Sequence, residues 1–364
     1  AGHPLTLVGP GAAGGGAGAA VTLDADGLAR VPAAMTASLP IYPGMSWAVP
    51  ALPPLMSWLA AHADLVQLAT PGPMGLVGLV AARSLGLPVL AQYHTEVADY
   101  AARLTGLPMV GAIVAPIVGW MYQQADLCLA PSAAVADRLR ALGVAPARIE
   151  RVQRGVDLAR FRPERRDRAA LARHGVDDGP IVLYVGRLSR EKNLEALVAA
   201  WPRVVEQHPR AQLVLAGEGP LAGRLAGPRV RATGPLHGDE LAAAFASADV
   251  FAFPSETETF GNAVVEAAAS GLPAVVARGG AAHEHVVDGE TGVIVDGADR
   301  GALAEAIAAL VGDPIRARRM GRAARLHARR YDQAEATEAT CAIYRAVAAG
   351  RGLAVAPPLR EVAP

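Results

Sequence analysis

Short apolar runs of strand length alternate with helical stretches along nearly the whole chain, and this alternation constrains the fold more than any other feature. In the first half, strands are expected at Leu5–Val8, Asp64–Ala69, Pro88–Tyr93, Asp126–Ala130 and Arg148–Gln153. A helical run from Met74 to Leu85 and a helix capped by Ser132 fall between them. In the second half the runs are cleaner: Ile181–Val185, Gln212–Ala216, Val230–Ala232, Val250–Phe253, Ala274–Val276 and Gly292–Val295. Helices are expected between these strands, and three more close the chain, at Arg300–Val311, Pro314–Arg330 and Gln333–Ala349. Strand–helix–strand repetition with short connections packs as a parallel, doubly wound α/β sheet. The chain has 364 residues, which suits two such domains.

The boundaries follow from charge. Residues 1–160 form an amino-terminal Rossmann-like domain. Residues 161–179 are rich in charge, with Pro163, Gly175 and Asp177–Asp178, and look like a linker with a solvated helix. Residues 180–330 form the second domain, and 331–350 a terminal helix expected to pack back towards the first. The chain opens at Ala1-Gly2-His3, directly before an apolar strand and without an initiator Met. A domain of this kind starts with a strand, a Gly-rich turn and a helix, so the first strand and helix are expected to be missing. The Gly-rich run Gly9–Gly18 is followed by no helix and reads as a loop.

Net charge is zero, so a large electrostatic footprint for nucleic acid is absent. The two cysteines, Cys128 and Cys341, offer no disulfide framework or zinc spacing. With no signal peptide visible, a cytoplasmic location is expected, with peripheral contact on the inner face of the plasma membrane as an option. The composition favours Ala, Gly, Pro and Arg, as GC-rich coding does. Against that bias the chain keeps one Lys, Lys192, and two Asn, Asn193 and Asn262.

Three clusters carry chemistry. In Pro254–Pro273, Glu258 and Glu266 lie eight apart. A helix starting near Phe260 would place Glu258 in the loop ahead of it and Glu266 two turns inside. The free amides of Phe260, Gly261 and Asn262 would then suit a diphosphate. Carboxylates beside a diphosphate are costly unless they bind hydroxyls, so both Glu residues read as sugar ligands. The bland alternative is a capped core helix with one buried Glu, which would need a partner. The second cluster, Gly186-Arg187 to Lys192-Asn193, follows the strand Ile181–Val185, at the strand end where open sheets bind ligands. Arg187 offers a planar fork and Lys192 a point charge, the pair a leaving diphosphate requires. An isolated pair would read as a solvated basic loop. Third, His94 lies at a strand terminus in the first half, within Gln92-Tyr-His-Thr-Glu-Val-Ala-Asp99. A lone His is more often structural, and the residues alone leave both roles open. Asp24-Ala25-Asp26 reads as a polar turn, and the His283-Glu284-His285 side chains face different ways on a helix, so neither is a metal site.

Together, Glu258-x7-Glu266, Gly-Arg-x4-Lys and the Gly217-Glu-Gly-Pro220 turn resemble the family 4 retaining glycosyltransferases of the GT-B fold. Tyr93-His-Thr-Glu and Thr70-Pro-Gly-Pro resemble the branch with bacterial mannosyltransferases and sulfoquinovosyl transferases. The resemblance implies two Rossmann-like domains facing across a cleft, no metal, and a nucleotide-diphosphate sugar such as GDP-mannose or a UDP-hexose as donor. It implies that Arg187 and Lys192 hold the diphosphate, and that Glu258 with the Phe260–Asn262 amides holds the sugar. Glu266 would bind the ribose, and His94 would touch the sugar or leaving phosphate. The family's first Gly-rich turn has no counterpart here. The acceptor would be a lipid or glycan. Rival readings are a sugar-nucleotide epimerase, which needs no acceptor, and a non-catalytic sugar-nucleotide or lipid binder. A nicotinamide dehydrogenase lacks its Gly-rich fingerprint.

Leu104–Tyr122 contains no charge and is nearly bilayer-spanning in length. Pro108, Pro116 and three glycines interrupt it, and it lies between two strands. It reads either as a buried core helix or as an apolar surface, with Trp120, where a lipid acceptor enters.

Overall fold

The computed structural model describes residues 5–11, 20–38, 46–94, 97–98, 101–102 and 106–350. The Ala1–His3 opening, most of the Gly-rich run, and Thr95, Glu96 and Asp99 lie outside them. The chain divides into two units: residues 1–131, 135–152 and 340–356, and residues 132–134, 153–339 and 357–364.

In the amino unit, the described strands form three separate sheets. β1 (Val8–Pro10), β2 (Thr22–Leu23) and β3 (Ala29–Val31) make the first, with β1 parallel to β3. β4 (Ala33–Ser38) and β5 (Ser46–Pro50) pair antiparallel. After α1 (Leu52–His62) come β6 (Val66–Leu68), α2 (Pro73–Ser84), β7 (Val89–Gln92), α3 (Pro108–Gln123), β8 (Leu127–Ala130), α4 (Ala133–Ala141) and β9 (Ile149–Arg151). The last four strands form a parallel sheet in sequence order. The segment β2–α1 was not expected from sequence, and the first strand begins at Val8 instead of Leu5. α2 packs closely because Gly75 has no side chain: a Cβ there would lie 2.0 Å from the Thr70 carbonyl oxygen.

The carboxyl unit contains α5 (Arg168–Ala172), β10 (Ile181–Val185), α6 (Leu194–Gln207), β11 (Gln212–Ala216), β12 (Val230–Gly234), α7 (Gly238–Ser247), β13 (Val250–Phe253), α8 (Asn262–Ala269), β14 (Ala274–Arg278) and β15 (Gly292–Asp296). α9 (Arg300–Gly312), α10 (Pro314–Ala328) and α11 (Gln333–Ala348) follow. All six strands are parallel, in the order β12-β11-β10-β13-β14-β15. Counted from β10 this is 3-2-1-4-5-6, the doubly wound order whose direction of growth reverses between the first and fourth strands. β10, β11 and β13 are apolar and buried almost throughout, as strands covered on both faces are.

Segment 161–179 does not run as a solvated stretch. Phe161, Leu171 and Val176 are buried in the carboxyl core, and α5 is capped by the Asp167 side chain. Their wide spacing between charges hides them in the sequence. α11 is shared: its residues to 339 group with the carboxyl unit and those from 340 with the amino unit. There Ile343 packs with Leu90, Leu127 and Leu129, and the Tyr344 hydroxyl hydrogen-bonds Gln67, which in turn donates to Gln92 (2.7 Å).

Candidate functional site: the carboxyl ends of β10 and β13

In a 3-2-1-4-5-6 sheet the connections from the two central strands leave in opposite directions, opening a crevice beyond their carboxyl ends. Those strands here are β10 and β13. The loop after β10 carries Gly186, Arg187 and Lys192, and the loop after β13 carries Glu258, Phe260 and Gly261. The topology therefore brings together two clusters 66 residues apart in sequence: Lys192 Nζ lies 2.5 Å from Glu258 Oε1. Both side chains are mostly buried, at 20% and 16% exposure. At that burial the pair is hydrogen-bonded as well as ionic, which offsets its loss of water.

Backbone contacts hold the first loop. A Cβ on Gly217 would lie 1.9 Å from the Gly186 carbonyl oxygen, and one on Gly219 would lie 2.4 Å from that of Leu188. The Gly217–Pro220 turn thus presses on the Gly186–Leu188 backbone, and Leu188 N–H donates to Glu218 O (2.7 Å). Tyr184, fully buried and stacked on Phe253, donates to the Arg187 carbonyl (3.0 Å). Arg187 itself is exposed at the surface of this loop. Asn193 takes a left-handed backbone (φ 55°), caps the start of α6, and donates to Gly297 O (2.9 Å). Asn tolerates that conformation better than other residues with a side chain.

The second loop ends in a helix that starts later than the sequence suggested. α8 begins at Asn262, with Gly261 at φ 93° as its N-cap, so Glu266 sits one turn inside instead of two. β-branched or bulky residues could not hold that φ at Gly261 without strain. The amides of Phe260, Gly261, Asn262 and Ala263 have no acceptor among the described residues. Four successive donors at a helix start concentrate positive potential. Glu266 is half-buried, and its carboxylate has no partner among the described residues. Burial alone raises its pKa to about 7.

Sequence reasoning missed the support behind this loop. His285 is buried, and its Nε2 lies 2.6 Å from the Phe260 carbonyl oxygen and its Nδ1 2.8 Å from the Tyr331 hydroxyl. A carbonyl only accepts, so Nε2 carries the hydrogen and Nδ1 accepts from Tyr331. Burial pushes the imidazole pKa down to about 3 and keeps it neutral. The only signal was a histidine leading the apolar pair Val286–Val287, within the run discounted as a metal site.

His94 follows β7 in the amino unit and is half-buried. The apolar segment before β8 forms α3, which buries Val118, Met121 and Tyr122 but exposes Met109, Ile113, Ile117 and Trp120 along its other side, with Leu107 exposed at its N-cap. Among the described residues no helix is long and apolar enough to cross a membrane.

Comparison with known proteins gives the family and the fold. Residues 1–160 match the family described as Glycosyltransferase Family 4, and residues 179–313 that described as Glycosyl transferases group 1. The chain is 34% identical over 320 residues to the sulfoquinovosyl transferase SQD2 of Arabidopsis thaliana, covering 85% of this chain and 62% of that protein. It is 38% identical over 251 residues to a GDP-mannose-dependent alpha-mannosyltransferase of Mycobacterium tuberculosis, covering 68% and 64%. It is 36% identical over 300 residues to D-inositol 3-phosphate glycosyltransferase 1 of Catenulispora acidiphila, covering 76% and 71%. The chain thus spans under two thirds of the length of the first two relatives. Among solved structures, the sucrose-phosphate synthase of Thermosynechococcus elongatus aligns with a TM-score of 0.72 at 23% identity, covering 95% of this chain and 89% of that one. Anabaena Alr3699/HepE in complex with UDP-glucose aligns at 0.70 and 20%, covering 82% of each. The fold is that of the GT-B glycosyltransferases, with two Rossmann-like units. The chain belongs to glycosyltransferase family 4.

Proposed function

We propose that this chain transfers a hexose, with retention of anomeric configuration, from a nucleotide-diphosphate sugar such as GDP-mannose or a UDP-hexose to a lipid or glycan acceptor. One observation carries the reading: Lys192 and Glu258 meet at the sheet's reversal point, beside four backbone amides that have no acceptor among the described residues. Breaking a sugar–phosphate bond leaves positive charge on the anomeric carbon and negative charge on the diphosphate. Lys192, Arg187 and the α8 amides are the groups that would stabilise the second. These two cations take the part a divalent metal plays in other transferases, and no metal is expected.

The ion pair gives the binding step a definite form. An arriving diphosphate takes Lys192, and the freed Glu258 accepts hydroxyls of the sugar. Glu266, one turn into α8, would bind the ribose. His94 is assigned to the sugar or leaving phosphate by family resemblance.

The donor is identified by thermal stabilisation with GDP-mannose, UDP-glucose and related nucleotides, followed by acceptor assays with the strongest. Free sugar nucleotide altered without an acceptor would mean an epimerase. Stabilisation without any product would mean a binding protein.

The exposed side of α3 supports a lipid acceptor and peripheral membrane contact. The chain should float with liposomes, and Ile113→Ser with Ile117→Ser should weaken flotation. Absence of any flotation leaves a soluble glycan as the acceptor.

A further inference from the structure

α10 carries a charge pattern that the donor site does not use. Between Pro314 and Arg330 lie seven of the chain's 33 arginines and no acidic residue, in a protein of zero net charge. At about 100° per residue, Ile315, Arg318, Arg319, Arg322 and Leu326 share one side of the helix, and all five are exposed. Ala317, Met320, Gly321, Ala324 and Ala328 lie opposite and are buried. That inner face is seated firmly. A Cβ on Gly321 would lie 2.0 Å from the Gly271 carbonyl oxygen, so helix and turn touch backbone to backbone. Arg325 is turned inward, donating to the carbonyls of Ala269 (2.7 Å), Phe161 (2.9 Å) and Leu158 (3.2 Å). Arg318, Arg319 and Arg322 make no ion pair among the described residues. Ile315 and Leu326, near the two ends of the stripe, are 75% and 60% exposed.

We propose that the outer face of α10 docks on an anionic phospholipid surface. A merely solvated face gains nothing from excluding acids, because mixed charges keep a helix soluble and add i,i+4 pairs. A one-sign face instead repels itself until an anion neutralises it. Guanidinium forks match phosphate oxygens, and the Ile315 and Leu326 side chains suit the shallow apolar layer beneath the headgroups. The stripe has no aromatic side chain on which a base could stack, which disfavours a single-stranded nucleic acid. This inference stands apart from the donor site and from α3.

The test is sedimentation of the chain with vesicles of phosphatidylcholine alone and of phosphatidylcholine mixed with phosphatidylglycerol. Binding should require phosphatidylglycerol and weaken with salt. The triple variant R318E/R319E/R322E should bind about a hundredfold more weakly, with its melting temperature and its use of soluble acceptors unchanged. I315S/L326S should weaken binding less. The proposal fails if the parent ignores phosphatidylglycerol vesicles or if the triple variant binds like the parent. It fails too if I113S/I117S abolishes binding that the triple variant keeps, since α3 would then be the contact. Displacement from the vesicles by RNA, lost in the triple variant, would assign the stripe to nucleic acid instead.

Discussion

The two parallel sheets arise from the same strand–helix alternation, yet the chain declares them very differently. In the carboxyl unit, β10, β11 and β13 are four- or five-residue runs buried almost throughout, and each is visible to the residue as an apolar word, with Gln212 at the head of β11 the one polar letter. In the amino unit, β6 and β9 have three residues each and are partly exposed, and the small sheets β1–β3 and β4–β5 mix apolar with polar positions. A strand covered on both faces must be continuously apolar, whereas a half-covered one can be almost anything. The proposed donor site follows the same division, because the firm frame is where charged side chains can be held at a fixed separation.

That contrast can be broken most directly at Lys192. Lys192→Ala should reduce turnover about a thousandfold and also lower the melting temperature, because it leaves the Glu258 carboxylate mostly buried without its cation, and Glu258→Gln should harm turnover more than binding of free nucleoside diphosphate. A Lys192→Ala protein with parental kinetics would remove the donor from the carboxyl unit. Next is the frame itself. Leu183, fully buried in the central strand β10, should cost about 3–5 kcal/mol when changed to Ala, and Leu68, in the edge strand β6, about 2 kcal/mol. Hydrogen exchange read separately in each unit measures the difference, and equal losses would mean that the two sheets are equally firm.

Titration sharpens the comparison further. His285 holds a folded pKa of about 3 against an ordinary 6.5, so the native state binds fewer protons between those values. Its contribution is present above pH 6.5 and drains away as the pH falls towards 3. Glu266 has the opposite sign. Its folded pKa of about 7 exceeds the ordinary 4.5, so its contribution is present at low pH and is lost as the pH rises through 7. Glu266→Gln should therefore stabilise the carboxyl unit by about 1–3 kcal/mol at pH 8 and hardly at all at pH 4, as denaturant melts at the two values would record. A gain of equal size at both would mean that the carboxylate is not strained by burial. The smallest effect belongs to the amino unit's exposed helix: Ile113→Ser with Ile117→Ser should change stability by only about 0.5 kcal/mol, whereas Val118→Ser, facing inward, should be clearly destabilising in the same melt.

The same physics decides what was readable beforehand. Lys192 stood out because the composition had removed every other lysine, and the two glutamates because carboxylates among Ala and Val require a reason. The meeting of Lys192 with Glu258 depends on strand order, which no local pattern encodes. α8 starts two residues later than its sequence pattern predicts, because the left-handed φ of Gly261 makes it the cap and not a helical position. α5 reads in sequence as a solvated helix because Leu171, its buried anchor, lies between arginines. His285 and Tyr331 could not be paired from sequence at all: they lie 46 residues apart and meet only through tertiary packing.

The close approach of Gly217 to Gly186 has a consequence for how this protein can change. No side chain of any size fits where a Cβ would lie 1.9 Å from a backbone oxygen, so the seat of Arg187 is closed to variation. Arg187 stands on that seat at the surface, where many side chains would fit. Evolution, or a laboratory library, can therefore exchange the side chain at position 187 without disturbing the backbone that carries it. A mutational scan should find almost no tolerance at position 217 beside a position 187 that accepts replacements for folding while grading them by activity.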